Sequence, residues 1–178
     1  MQDPSLTERA LACASEAHRG QIREVSGVPY VFHTVEVAKR LGDFGVLDEE
    51  VIAAALLHDA VEDTEVSRKE IERLFGSRVA RFVDEMTFDE RKQKKGEYLA
   101  AFAVKSPEAL AIKLADRGAN VADYARERAD YAPIYAGKAN ALYAAVVARE
   151  AELTSTFGEE VAARLVAEAE RLRAFAAP

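Results

Sequence analysis

A chain of 178 residues, 49% of them apolar, can bury one substantial core, and a single domain over 1–178 is expected. Its 31 acidic against 24 basic residues, a net charge of −7, exclude a general nucleic-acid or anionic-membrane binder, because both draw on clustered positive charge. Cys13, the one cysteine, excludes a disulfide framework; with neither a leader-like start nor an apolar run of membrane-spanning length, a cytoplasmic protein is expected.

The apolar spacing is helical almost throughout. Ser5 to Glu8 reads as a capping box opening a helix to about His18, with Leu6, Ala10, Cys13 and Ala17 on its inner stripe and Gly20 as its stop. In "QIREVSGVPYVFHT", Gly27 and Pro29 predict a loop or short turn. A second helix is expected from His33 or Thr34 to Gly42. Asp48, with Glu49 and Glu50, reads as the N-cap and acidic first turn of a third helix running on through "ALLHDAVED". Ser67 to Glu70 is another capping box, and Gly76 ends that helix. A fifth, from about Ser77 to Met86, carries Val79, Phe82, Val83 and Met86 inward. The basic stretch "RKQKK" follows. Ser106 and Pro107 open a helix through "EALAIKLADRGANVADYA", Pro133 opens a long one to about Thr154, and a last helix after Gly158 runs to about Ala174. With no strand alternation or internal repeat, the expected architecture is an all-α bundle of about eight or nine helices.

Chemistry concentrates in "LLHDAVEDT". On a helix, His58 and Glu62 are i,i+4 partners, as are Asp59 and Asp63, so the four converge on one patch. A solvated face is the ordinary account of such a patch. Here His58 and Asp59 follow the apolar run "VIAAALL", where a desolvated charge is costly unless something pairs with it. A divalent cation would pair it. His33 after the Gly/Pro turn and Asp116 in "LAIKLADR" add an imidazole and a carboxylate beside core-facing positions. Two imidazoles and two carboxylates form a mixed N/O set suited to Mn²⁺ or Fe²⁺, with coordination positions left for water and substrate. A lone histidine is more often structural; the ordered set H, then HD, then D on successive predicted helices is far more specific.

On the pieces "AHRGQIRE", "GVPYVFHTVEVAKRL", "AALLHDAVEDT", "FGSRVARFVDEMT", "DERK" and "IKLADRGAN", the chain resembles the HD-domain metallophosphohydrolases. Within them it resembles the small alarmone hydrolases related to the hydrolase domain of the RelA/SpoT family, from about Ala17 to Asn120. The resemblance implies an HD-type helical bundle and a Mn²⁺-dependent reaction, one cation per site, that releases pyrophosphate from the 3′ position of guanosine tetra- and pentaphosphate. It implies His33, His58, Asp59 and Asp116 as metal ligands, and Glu62 and Asp63 as the acids handling the attacking water. Such a hydrolysis needs a Lewis acid on a phosphoryl oxygen and a carboxylate to orient or deprotonate water.

On the substrate side, Arg23 resembles the family arginine that packs against the purine. Arg91, Lys92, Lys94 and Lys95 form the densest basic cluster of an acidic chain; such a run serves phosphates and solvated surfaces equally well. Asn120, one turn after Asp116, can hydrogen-bond ribose or phosphate, or act only as a cap. Departures from the family fall on this side: Glu24 stands where lysine is common, "HT" replaces "HP" after the first ligand, the acidic segment after "MT" is shortened, and "VADYAR" replaces a basic pattern. They leave adenosine-type alarmones open beside guanosine ones. Tyr131, Tyr135 and Lys138 are further pocket candidates.

The expected partner is a small nucleotide, with neither nucleic acid nor membrane, and the oligomeric state is open. With no synthetase-like segment in the sequence, an enzyme that only degrades the alarmone is expected. The alternatives are an HD phosphohydrolase acting on a nucleoside monophosphate or NADPH, and a metal-stabilised helical module without turnover. Two spare acids at Glu62 and Asp63 argue against the module, since a structural metal site closes its coordination.

Overall fold

The apolar run Val51 to Leu57 is the most deeply buried stretch of the N-terminal half: Val51, Ala53, Ala54, Ala55 and Leu57 have no exposed surface. A helix apolar all round must be covered on several sides. This helix, α3 (Glu49–Leu57), is covered by α1 (Leu6–Ala17), α2 (Val31–Phe44) and α6 (Ser77–Met86), while α5 (Arg68–Phe75) packs on α6. The structure, a computed structural model, describes residues 3–176, all but two at each end. They fall into two compact units, one running to Arg23 and then over Gly27–Thr87, the other made of Glu24–Ser26 and the chain from Phe88 onward.

The first unit follows the caps written in its sequence. Ser5 accepts from the Glu8 amide and Ser67 from the Glu70 amide, each with the reciprocal glutamate bond that completes a capping box, and Asp48 accepts from the Glu50 amide. Gly45, with φ +96°, closes α2 in the left-handed conformation that a side chain resists. Between α1 and α2 the expected loop is a tight reversal. Ile22 pairs antiparallel with Pro29, Arg23 donates its amide to the Val28 carbonyl at 2.9 Å, and Tyr30 donates its own to the Gln21 carbonyl at 2.9 Å. Gly27 sits at its tip with φ +70°. Truncating a side chain buried like Leu57 to alanine typically costs about 2–5 kcal/mol.

In the second unit, α8 (Pro107–Glu127) starts at Ser106, whose hydroxyl accepts from the Ala109 amide, with proline in the first turn as expected. It packs on α9 (Ala132–Gly137) and α12 (Glu159–Ala176); α10 (Asn140–Ala148) and α11 (Glu150–Phe157) pack on α12. Ahead of them lie α7 (Lys95–Ala100) and a 3₁₀ turn, Ala101–Ala103, which bury Tyr98, Leu99 and Phe102.

The architecture is all-α as expected, but the described residues hold twelve α-helices, not about eight or nine. Three causes account for the difference. The third helix does not run unbroken through "ALLHDAVED": it stops at Leu57, and the chain turns at Asp59 into a four-residue α4 (Ala60–Asp63). The long helix expected from Pro133 to Thr154 is three pieces. At its second break the Arg149 guanidinium reaches the carbonyls of Phe102 (2.9 Å) and Lys105 (2.8 Å), a tertiary tie that helical periodicity cannot encode. The α7 segment, hidden behind the basic run, is stabilised by Glu97 accepting from the Lys94 amide.

Candidate metal centre

The break between α3 and α4 is what makes the site. Neighbouring residues on an unbroken helix point about 100° apart and do not face each other. With Asp59 at φ −99° and ψ −4°, its carboxylate turns back onto His58: Oδ2 lies 3.0 Å from His58 Nε2 and 3.8 Å from His33 Nε2. His33, on the first turn of α2, and His58, which ends α3, are both buried, and the two rings meet edge to face at 5.3 Å between centroids. One ligand atom from each of His33, His58 and Asp59 lies within 4.8 Å of the others.

The tautomer of His58 follows from its surroundings. Its Nδ1 lies 2.8 Å from the Ala55 carbonyl, which can only accept, so Nδ1 carries a proton and Nε2 is the nitrogen left to coordinate a cation from the neutral ring. His58 Nε2 held 3.0 Å from a carboxylate oxygen, with His33 Nε2 3.8 Å from the same oxygen, is an arrangement that a shared positive centre satisfies. The donor chemistry of two nitrogens and one oxygen fits a divalent transition-metal cation.

Tyr30 closes the next ring around these donors. Its hydroxyl donates to Asp59 Oδ2 at 2.7 Å and reaches Asp63 Oδ2 at 3.3 Å. His18 stacks on the Tyr30 ring at 4.8 Å between centroids, and its Nδ1 lies 2.8 Å from Gln21 Oε1, whose own amide group donates to the Asp63 carbonyl at 2.8 Å. Asp63 keeps an exposed edge, yet partial desolvation and then the charge of Asp59 raise its carboxyl above the ordinary carboxylate range, against the pull of the Tyr30 hydroxyl. Glu62 is half-buried on the same short helix.

Arg23, expected to face a purine, is 93% withdrawn from solvent (7% exposed), with its guanidinium 5.8 Å from the Tyr30 ring centroid. Asp116, in the second unit, is 5% exposed in mid-α8, and its carboxylate is held at both oxygens: Lys113 Nζ lies 2.8 Å from Oδ2 and Asn120 Nδ2 donates to Oδ1 at 2.5 Å. Asn120 therefore braces Asp116 from inside the helix and is not a cap. Arg91 and Lys92 are exposed and both engage Asp89: Arg91 Nε at 2.9 Å and Lys92 Nζ at 3.1 Å, which holds the Asp89 carboxyl far below its usual range. Lys94 opens α7, and Lys95 Nζ sits 4.3 Å from the Phe88 ring centroid. Tyr131 and Tyr135 form a cluster with Tyr124, with Lys138 donating to the Tyr131 hydroxyl and Arg117 lying over Tyr135.

Three side chains of this set carried no role in the sequence: Tyr30, His18 and Lys113. Tyr30 and Lys113 each sit three residues before an expected ligand, His33 and Asp116, the i,i+3 spacing that brings side chains together on a helix. That spacing was the available signal. His18 had none, because its partner Tyr30 reaches it only through the reversal.

An HD-domain family model matches residues 10–150. The chain is similar to the guanosine-3′,5′-bis(diphosphate) 3′-pyrophosphohydrolase of mouse, Mus musculus: 39% identical over 118 residues, 64% of this chain and 66% of that protein. It is similar to the enzyme of the same name from Aquifex aeolicus, 38% identical over 120 residues, 64% of this chain and 17% of that protein. The matched region thus spans just under two thirds of the mouse relative and about a sixth of the bacterial one. Among solved structures, the chain resembles that of a metazoan ortholog of SpoT which hydrolyses ppGpp and plays a role in starvation responses, with a TM-score of 0.77 and 30% identity over 97% of this chain and 96% of that one.

Proposed function

We propose, from the premise that this chain belongs to the HD-domain family, that it is a metal-dependent hydrolase converting (p)ppGpp to GDP or GTP and pyrophosphate, with residues 1–178 acting as one HD-type phosphohydrolase domain. The observation that carries the reading is the placement of Asp59 Oδ2 beside the imidazoles of His33 and His58, with Glu62 and Asp63 on the short helix that follows. An HD domain holds a divalent metal; here His33, His58 and Asp59 would hold it, with Asp116 as the fourth ligand that the motif resemblance implies and Mn²⁺ as the ion. When bound, the cation supplies Lewis acidity toward a phosphoryl oxygen and the means to make a water nucleophilic near neutral pH.

The chain's own residues do the rest. Asp63, on the short helix that follows the donors and hydrogen-bonded to the same Tyr30 hydroxyl as Asp59, is the acid proposed to take a proton from that water. Glu62 is the second acid available to orient that water. Substrate contacts are proposed at Arg23, Asn120, Arg91 and Lys92. Each already has a protein partner, so each would share or exchange it for the nucleotide: Tyr30 for Arg23, Asp116 for Asn120, Asp89 for Arg91 and Lys92. Adenosine-type alarmones are included in the proposed substrate class.

The deciding experiment incubates Mn²⁺-loaded protein with guanosine 5′-diphosphate 3′-diphosphate and its adenosine analogue and identifies the products. Pyrophosphate with the matching nucleoside diphosphate is expected. Single phosphate released from a nucleoside monophosphate, with both 3′-diphosphates intact, would overturn the reading.

A further inference from the structure

Three side chains of the site meet at Asp59 Oδ2. It faces His58 Nε2 at 3.0 Å and His33 Nε2 at 3.8 Å, and it accepts the Tyr30 hydroxyl at 2.7 Å. A carboxylate torsion is broad and roughly two-fold, so an aspartate on a turn between two short segments has no intrinsic reason to present one oxygen to two imidazoles. The Tyr30 hydroxyl supplies the reason, since its single proton lies along one direction and selects Oδ2. The same hydroxyl stands 3.3 Å from Asp63 Oδ2, so one O–H group lies between two carboxylates that would otherwise repel.

The hydroxyl is itself held. The Tyr30 ring stacks on His18 with 24° between planes, meets His33 edge-on at 5.7 Å between centroids and carries the Arg23 guanidinium at 5.8 Å. His18 is fixed in turn through Gln21, which also donates to the backbone carbonyl of Asp63. One end of this chain of contacts sets Asp59 and the other sets the backbone of Asp63.

We propose that Tyr30 is a positioning residue whose hydroxyl presets the Asp59 oxygen for the cation and fixes the separation of that ligand from Asp63, with His18 and Gln21 as its support. This rests on the proposed function insofar as Asp59 is a ligand and Asp63 works on water. Neighbours that orient a ligand are typically worth about 10- to 100-fold in metal affinity or activity.

Tyr30→Phe removes the hydroxyl and keeps the ring. Titrating metal-stripped protein with Mn²⁺ by calorimetry or by the loss of free-ion spin-resonance signal should show affinity weakened by about 10-fold. At saturating Mn²⁺, kcat should fall while KM for the nucleotide stays within about twofold, because phenylalanine keeps the ring under Arg23 and no substrate contact is proposed at the hydroxyl. A purely structural tyrosine would do the reverse, lowering thermal stability and leaving Mn²⁺ affinity alone. His18→Leu, which takes away the stacking partner, should weaken Mn²⁺ binding less than Tyr30→Phe; were Tyr30→Phe not to fold, unchanged affinity in His18→Leu would by itself overturn the proposal. Equal Mn²⁺ affinity in folded Tyr30→Phe and the parent overturns it directly. A parent that binds no Mn²⁺ overturns the metal reading and this inference together. A parent that binds Mn²⁺ but leaves the alarmones intact overturns only the substrate reading, and the titration still decides on Tyr30.

Discussion

Asn120 donates to one oxygen of the Asp116 carboxylate while Lys113, on the preceding turn of the same helix, is paired with the other. Both Lys113 and Asp116 are buried, and removing one partner of a buried pair leaves an uncompensated charge, typically about 3–5 kcal/mol. Lys113→Met should therefore destabilise the metal-free protein by about that much, and Asn120→Ala by about 1.5–3 kcal/mol, the range for a hydrogen bond to a charged group. Urea unfolding of both variants checks the order. Equal, small effects would mean that the Asp116 charge is neutralised in another way.

Chelation should lower thermal stability and abolish turnover, and Mn²⁺ should restore both, because a cation held by the folded arrangement of His33, His58 and Asp59 favours the native state. At a Mn²⁺ concentration about 100 times its Kd the gain is about 2.7 kcal/mol. Scanning calorimetry with and without chelator, beside metal analysis of Asp116→Asn, gives the measurement. Full-rate hydrolysis by thoroughly stripped protein would remove the metal from the mechanism.

Glu62→Gln and Asp63→Asn keep side-chain shape and remove the charge that steers or deprotonates water, and both residues lie outside the set of donors gathered around Asp59 Oδ2. Metal content should survive while turnover drops by about 10²- to 10⁴-fold, the usual worth of a general base. Metal analysis and initial rates on the same samples separate the two effects. Near-normal turnover in the double variant would refute the role given to this pair.

Arg23→Ala should raise KM more than it lowers kcat if the arginine stacks on the purine, since such stacking contributes alike to ground and transition states. The guanidinium also lies over Tyr30, so a fall in Mn²⁺ affinity resembling that expected for Tyr30→Phe would instead place its main role in holding that ring.

The Tyr143 phenol is fully buried and donates to the Ala136 carbonyl at 3.1 Å, and burial pushes it well above the usual tyrosine range. A group whose folded pKa is raised contributes stability that is complete below its unfolded value, about 10, and is lost as pH rises from there toward the folded value. Urea unfolding between about pH 9 and 11 should show the parent losing more stability than Tyr143→Phe, which has no phenol to ionise. Parallel losses in the two proteins would place the alkaline sensitivity elsewhere.

Much of the fold is legible in local chemistry. Ser5, Asp48, Ser67 and Ser106 each cap the helix that their spacing implies, because a capping oxygen and the amide it satisfies are three residues or fewer apart. The helix Ser77–Met86 has its expected bounds, and Val79, Phe82, Val83 and Met86 are buried as its stripe requires. Helix count is less legible. At Arg149 the interruption depends on carbonyls of Phe102 and Lys105, more than 40 positions away along the chain.

The sequence by itself determined the helical class and the helix starts capped at Ser5, Asp48, Ser67 and Ser106, because residue type and short spacing suffice for those, and it set His58, Asp59, Glu62 and Asp63 close together along the chain. Tertiary structure alone decided how they meet. An unbroken helix would have pointed His58 and Asp59 apart, and the turn at Asp59 brings them to 3.0 Å. It alone decided that Tyr30 holds that carboxylate from 29 residues earlier and that His18 backs the ring, because the reversal pairing Ile22 with Pro29 sets where both side chains lie. Such contacts are closed by packing across elements, and no local spacing in the chain records them.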